Sequence, residues 1–360
     1  MFKQILQVVN HFALYDGVSN IIRDFMTMLD GYGVKNAILS ITRDPDCGIN
    51  DERWHSVDKL NDMLTHETLV IFHFSFPTPL SAKIIQLSCP KVLLYHNITP
   101  PVFFEGYNEF LQGHCIEGYK EIISIAPYFE YGWGDSAYNC TQLQEAGFER
   151  TAVTYPPFDF KRLEDTLPGH TVKKKDGITS ILFVGRLAPN KRQEDIIRAF
   201  YYYHRLNPNS ELTLVGNSEF FDNYKQELIA LAREWDLPVN ITGAVSAGEL
   251  VGHYKNADMF LCMSEHEGFC IPIIEAMYFG VPVVAFKSSA VTEIVGDAGI
   301  VFSQKHFPSV AHLMHTVLED PALREKMRAA GFERVRYFSK ENTAARIMQL
   351  IGDYADELNM

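Results

Sequence analysis

At 360 residues, with 47% hydrophobic and 21% charged residues, the chain is long enough for two ordinary cores and too apolar to belong to the disordered class. Its 32 basic against 45 acidic residues leave a formal charge of −13, which excludes broad electrostatic attraction to nucleic acid. No apolar run reaches the roughly 18 residues of a membrane span, Met1 to Asn10 lacks the charged start and long apolar core of a signal peptide, and the six cysteines form no C-x-x-C pair. A reduced cytoplasmic protein is expected, with peripheral attachment at the inner face of a membrane compatible with these features.

The first half reads as alternating strands and helices. The runs Gln4 to Val9, Val34 to Ile41, Leu69 to Phe74 and Val92 to Tyr95 have the length and composition of buried strands, and Ser19 to Leu29 carries a helical period. Between the first strand and that helix lies Tyr15-Asp-Gly-Val-Ser19, in which Gly17 is the candidate for close backbone approach to a ligand. The pair Asp44-Pro-Asp46 follows Arg43 in a polar loop with Gly48 and Asn50, which predicts a surface turn and not a metal site. His73 lies in the run Phe72-His-Phe-Ser75, and His96 lies where Tyr95-His-Asn-Ile-Thr-Pro-Pro101 ends a strand. The aromatic segment Phe103, Phe104, Tyr107 and Phe110 reads as core packing first and as a surface for an acceptor second.

The same grammar restarts after Pro156, Pro157 and the polar stretch Asp165 to Asp176, where the linker is placed. Strands are predicted at Ser180 to Val184, Leu212 to Val215, Val239 to Thr242, Met259 to Met263 and Val283 to Phe286, with amphipathic helices between them. Ser246-Ala-Gly-Glu249 reads as a capping box opening a helix to Tyr254, because serine and glutamate three apart can each satisfy the other's backbone N–H. The expected organisation is a domain over 1–160, a second over 161–338, and a terminal helix over 339–360 that packs back on the first.

Chemistry concentrates in the second half. Phe183-Val-Gly-Arg-Leu-Ala-Pro-Asn-Lys191 places two cations, Arg186 and Lys191, around a strand-to-helix turn, one a planar fork and one a point charge suited to phosphate oxygens. Ser264 to Val284, SEHEGFCIPIIEAMYFGVPVV, then forms a loop, a helix start and a strand, with Pro272 suited to the first helical turn. Were Glu267 to Glu275 fully helical, its ends would stand about 12 Å apart, a span similar to that of a nucleoside diphosphate sugar. On that scale Glu275 can accept from the ribose hydroxyls, Glu267 can reach the transferred sugar, and Arg186, Lys191 and the amides around Phe269, Cys270 and Ile271 can hold the diphosphate; taken singly, Glu267 reads as a helix-start charge, Glu275 as an exposed residue of an amphipathic helix and the basic pair as solvated surface.

These residues resemble the second domain of the retaining GT-B glycosyltransferases of family 4, the glycosyl transferases group 1 of bacterial surface-polysaccharide type. The V-G-R-x-x-x-x-K turn, the E-x7-E element, the following G-V-P-V-V run and Ser288 to Gly299 (SSAVTEIVGDAG) carry the resemblance. It covers most of the second domain clearly and the first more weakly. The chain departs from the family at Cys270, where a second glycine is common, and around Gly17, where the family's paired glycine is absent.

The resemblance implies an α/β GT-B fold of two Rossmann-like, doubly wound domains facing across a cleft. It implies a hexosyltransferase that needs no cofactor or metal and takes a hexose, with mannose favoured, from a GDP- or UDP-sugar to a glycan or lipid-linked glycan hydroxyl. Glu267, His96, Arg186 and Lys191 are the implied catalytic residues, and Gly17, Gly268, Phe269, Cys270, Ile271 and Glu275 join Arg186, Lys191 and Glu267 in donor binding. His96 is expected to offer an N–H to a sugar hydroxyl. A phosphorylase of the same architecture and a non-catalytic partner subunit are the alternatives, and a dinucleotide oxidoreductase is disfavoured because no complete G-x-G-x-x-G follows the first strand.

Overall fold

The computed structural model describes every residue except 14, 15, 46, 51, 161, 162, 164–172 and 360. Most of the predicted linker from Asp165, together with Tyr15 and Asp46, lies outside the described residues. The chain divides into two compact units: Met1–Ile98 with Gly113–Asp159 and Phe338–Met360, and Thr99–Gln112 with Phe160–Tyr337.

Unit 1 is built on seven parallel strands, β1 (Gln4–Phe12), β2 (Lys35–Arg43), β3 (Trp54–Ser56), β4 (Thr68–Phe74), β5 (Lys91–Tyr95), β6 (Tyr131–Gly134) and β7 (Thr151–Val153), in the order β3-β2-β1-β4-β5-β6-β7. The order reverses between β1 and β4, and both strands are buried along most of their length, as a parallel sheet covered on two faces requires. Helix Gly17–Gly31 serves two cores at once: Ile21, Phe25 and Leu29 join Ile5, Leu69 and Trp133, while Ile22 and Met26 join Val9, Phe12 and Ile38.

The terminal helix, Lys340–Glu357, belongs to this unit. Its Ile347, Ile351 and Tyr354 enter the same core as Phe2, Val92 and Trp133, each contributing about 1.5–3 kcal/mol by burial. Its end is fastened by a bidentate pair, Arg150 Nη1 and Nη2 to Glu357 at 2.8 and 2.6 Å, with Tyr131 donating to the same carboxylate at 2.9 Å.

Unit 2 holds six parallel strands, β8 (Thr179–Val184), β9 (Ser210–Val215), β10 (Val239–Gly243), β11 (Met259–Cys262), β12 (Val283–Phe286) and β13 (Ile300–Phe302), in the order β10-β9-β8-β11-β12-β13. Its order reverses between β8 and β11. The capping box is present: Ser246 caps helix Ala247–Asn256 and Glu249 returns the bond at 2.9 Å.

Residues 99–112 cluster with unit 2, although the sequence division counts them with the first half. The aromatic side chains explain why. Phe104 is buried with its ring centroid 5.2 Å from that of Phe221, Tyr107 donates to Glu227 at 2.8 Å and meets Tyr224 edge-on, and Phe103 lies between Arg192 and His266. Burial and the Glu227 carboxylate push the Tyr107 hydroxyl up to about 12. Phe110, by contrast, is 67% exposed.

Candidate functional site

In unit 2 the predicted residues collect at the carboxyl ends of β8 and β11, on either side of the reversal in strand order. That is the edge at which open α/β sheets bind ligands, because helices leave it from both faces and vacate the crevice. After β8 the chain turns at Gly185, whose N–H donates to Val215, and the carbonyl of Gly185 comes so close to Gly216 that a Cβ on Gly216 would sit 2.0 Å from it. This turn presents Arg186 to solvent, and among the described residues its guanidinium has no hydrogen-bond or ion-pair partner. Its carbonyl accepts from Gln193 at 2.9 Å.

Lys191 ends the short turn Pro189–Lys191 and its Nζ meets Glu267 Oε2 at 2.5 Å. The sequence reading assigns Lys191 to phosphate and Glu267 to sugar; the structure joins them in one mostly buried ion pair. Lacing between the loops after β8 and β11 fixes this pair. Glu265 N–H donates to the Asn190 carbonyl at 2.9 Å and Asn190 Nδ2 to the His266 carbonyl at 3.1 Å, while Glu267 N–H donates to Ser289 Oγ at 2.7 Å. Arg192 and Lys305 both grip Glu265, at 2.7 and 2.8 Å. Burial works against the charged form of Glu265, but these two cations hold its carboxyl below the ordinary value. His266 is buried beside Lys191, and desolvation and that charge push its imidazole down to about 3, so it is neutral at pH 7.

The helix with the second glutamate runs only from Ile271 to Tyr278, so Glu267 to Cys270 are loop and the fully helical spacing does not apply. Pro272 does occupy the first turn, and Cys270 is the cap, at φ 75° and ψ 61°. Left-handed backbone explains the glycine common in the family here, and an L side chain at that conformation costs about 1–2 kcal/mol. Cys270→Gly is accordingly expected to raise unfolding free energy by about 1 kcal/mol, read as a higher urea midpoint with unchanged m-value.

Glu275 is buried within the helix and its Oε2 accepts from Tyr254 at 2.7 Å; burial and the carboxylate push the Tyr254 hydroxyl well above its ordinary range. Tyr254 is a residue the sequence reading passes over, although the capping box had set the register of its helix. Gly268, Phe269 and Ile271 complete the strand-loop-helix turn, with Phe269 buried.

Unit 1 places its candidates at the ends of β1, β4 and β5, again beside the reversal. Asp16 caps the helix opened by Gly17 and accepts from Ser19 N–H at 2.8 Å. Gly17 is exposed, its φ is not positive, and nothing stands within 4 Å of where a Cβ would be, so the fold itself does not demand glycine there. Asp44 lies in a loop, partly exposed, with His11 against it at 3.2 Å.

His96 is held in a row of four side chains. Its Nδ1 lies 2.8 Å from Asp135 Oδ2, its Nε2 2.8 Å from Nδ1 of His73, and His73 Nε2 lies 3.1 Å from Gln7 Oε1. Asp135 and the Gln7 oxygen are both acceptors, so both ends of the row need N–H donors and the contact between rings needs a third proton. Burial and the neighbouring His96 hold His73 well below the ordinary histidine value.

This corrects the reading of His96 as a spare donor to a sugar. Its side chain is 2% exposed and both ring nitrogens are committed, so contact with a ligand through either would require breaking one of these bonds. The next residue, Asn97, adopts φ 80° and is fixed by Asn139 and Gln142 at 2.8 and 2.7 Å.

Two parallel doubly wound sheets in one chain, with charged loops at the strand-order reversal of the second, define the GT-B class of fold. HepE of Anabaena, solved with UDP and glucose, superposes with a TM-score of 0.75 over 98% of this chain and 100% of that one at 17% identity, a likeness of fold. Residues 170–334 match the family described as Glycosyl transferases group 1.

O-antigen chain mannosyltransferase B of Escherichia coli is 32% identical over 165 residues, covering 45% of this chain and 42% of the relative. The GDP-mannose-dependent monoacylated alpha-(1-6)-phosphatidylinositol monomannoside mannosyltransferase of Corynebacterium glutamicum is 26% identical over 251 residues, 59% of this chain and 65% of the relative. The chain thus spans between 42% and 65% of the length of these two curated relatives. Among the described residues no helix is long and apolar enough to cross a membrane.

Proposed function

We propose that the protein is a retaining hexosyltransferase that moves mannose from GDP-mannose to a hydroxyl of a glycan or lipid-linked glycan, working at a membrane surface without crossing it. The observation that carries this reading is the buried pairing of Lys191 with Glu267 at the strand-order reversal of unit 2, followed by a helix start and Glu275. Such a site suits a ligand with anionic phosphates flanked by two hydroxylated rings. Arg186, solvent-facing at the neighbouring turn, supplies the fork for the diphosphate, and the helix start after Cys270 adds its partial positive charge.

Charge grows on the diphosphate as the sugar departs. Arg186 and Lys191 therefore stabilise the transition state more than the ground state, and Glu267 holds Lys191 in place and faces the transferred hexose. Glu275, oriented by Tyr254, serves the ribose. In unit 1 the row ending at His96 is held in place by its hydrogen bonds, and Gly17 leaves room for a ligand at the first helical turn. Retention follows a front-face route in which a donor phosphate oxygen takes the acceptor proton.

The GDP-mannose assignment draws on the names of the relatives, one an O-antigen mannosyltransferase and one GDP-mannose-dependent. A thermal-shift panel of GDP-mannose, UDP-glucose and ADP-glucose tests it. GDP-mannose should raise the unfolding midpoint most, as binding to the folded state alone requires. A larger shift with UDP-glucose would replace the base and the sugar while leaving the site reading intact.

A further inference from the structure

We infer that Cys262, Cys270 and Glu267 form a binding site for a thiophilic divalent cation of the zinc and cadmium type. Cys262 is the last residue of β11, Cys270 caps the following helix, and Glu267 lies in the loop between them; all three are buried, at 0%, 7% and 8% exposure. One ligand atom from each lies within 4.8 Å of the other two. Zinc held by two thiolates at about 2.3 Å sets the sulfurs about 3.8 Å apart, so the triangle needs to contract by no more than about 1 Å.

The Cys262 S–H donates to Ser264 Oγ at 3.4 Å, a bond that coordination of the sulfur would release. The backbone supplies an independent argument. Cys270 occupies a left-handed conformation that glycine would take without strain, yet the chain carries a thiol there, directed at Cys262 and Glu267.

Charge balance is kept when a cation binds. Binding of M²⁺ to two thiols and one carboxylate releases two protons and leaves a cluster of charge −1, and the Lys191 ammonium beside Glu267 brings the buried group to zero. Sulfur donors reject magnesium and calcium, so this site is distinct from any cation a diphosphate would bring. Three protein ligands leave the fourth position for water. An occupied site would commit Glu267 to the cation as well as to Lys191 and slow transfer; that consequence alone rests on the proposed function.

The test is titration of the reduced, chelator-treated full chain with cadmium under anaerobic conditions, followed by thiolate-to-cadmium charge-transfer absorption and proton release. One saturable equivalent with about two protons released is expected, and binding should weaken at least tenfold in both Cys262→Ser and Cys270→Gly. No saturable absorption, or binding as tight as the parent's in either variant, overturns the site. Cys270→Gly is expected to fold better than the parent, which keeps the comparison sound should Cys262→Ser be poorly stable; thermal melts of each establish folding. Because cadmium binding needs no donor, a chain that binds GDP-mannose and no cadmium refutes only the metal site, and the reverse result refutes only the donor reading.

Discussion

Glu267→Ala is expected to lower hexose transfer by two to three orders of magnitude while donor affinity changes by less than about tenfold. The substitution removes the carboxylate that holds the Lys191 ammonium at 2.5 Å, so the cation loses the position from which it would meet charge developing on the leaving diphosphate. It also strands a largely buried charge, which adds a stability cost of about 1–3 kcal/mol, softened because the Lys191 side chain keeps 20% of its surface in solvent. Glu267→Gln separates the two effects, since it keeps the shape and one acceptor oxygen for Lys191. Steady-state rates at saturating donor for both variants make the check. A turnover within about threefold of the parent in Glu267→Ala would remove Glu267 from the mechanism.

Gly216→Ala is expected to be the most damaging single-methyl change in unit 2, costing more than about 4 kcal/mol or abolishing soluble expression. The new Cβ would lie 2.0 Å from the Gly185 carbonyl oxygen and 2.6 Å from its carbon, and both atoms are backbone of the turn that carries Arg186. With φ at 153°, the residue also sits where L side chains are rarely found. No rotamer change relieves a clash between two main chains, so relief must come from moving the end of β8 away from β9. Gly17→Ala provides the contrast, because a Cβ there meets nothing within 4 Å. Its effect on unfolding free energy should stay within about 0.5 kcal/mol. Urea unfolding of the two variants side by side reads the difference, and similar losses in both would contradict the packing argument.

Strands with an unbroken apolar run were legible, because burial writes that run into the sequence: β4 is buried at every position and β12 runs from Val283 to Phe286 as predicted. Helix ends were legible where side chains cap locally, as at Ser246 and Glu249. Short strands were not. β3, β7 and β13 have three residues each, and two of the four in β6 are glycine, so no period can register; they pair because a longer neighbour offers its edge.

The site divided in the same way. Order and spacing put Arg186, Lys191 and Glu267 on the loops of one sheet edge and Glu275 in the helix that follows, since each comes after a recognisable strand. Partners across the chain were hidden: Lys191 and Glu267 lie 76 residues apart, Tyr254 and Glu275 lie 21 apart, and the row of Gln7, His73, His96 and Asp135 draws on four separate segments. Nor does any local pattern say that residues 99–112 pack with the second sheet. Their aromatic density was visible, but whether those rings face a ligand or Phe221 and Tyr224 is decided by tertiary contact.

The central claim is that unit 2 binds a nucleoside diphosphate sugar through Arg186, Lys191 and Glu275, and calorimetric titration of the full chain with GDP-mannose tests it most directly. The parent should bind with a single-site isotherm, Arg186→Ala and Glu275→Gln should each weaken binding at least tenfold, and Phe110→Ser, at an exposed position outside the site, should match the parent. Absence of binding by GDP-mannose, UDP-glucose and ADP-glucose alike, or affinities unchanged in both Arg186→Ala and Glu275→Gln, would contradict it.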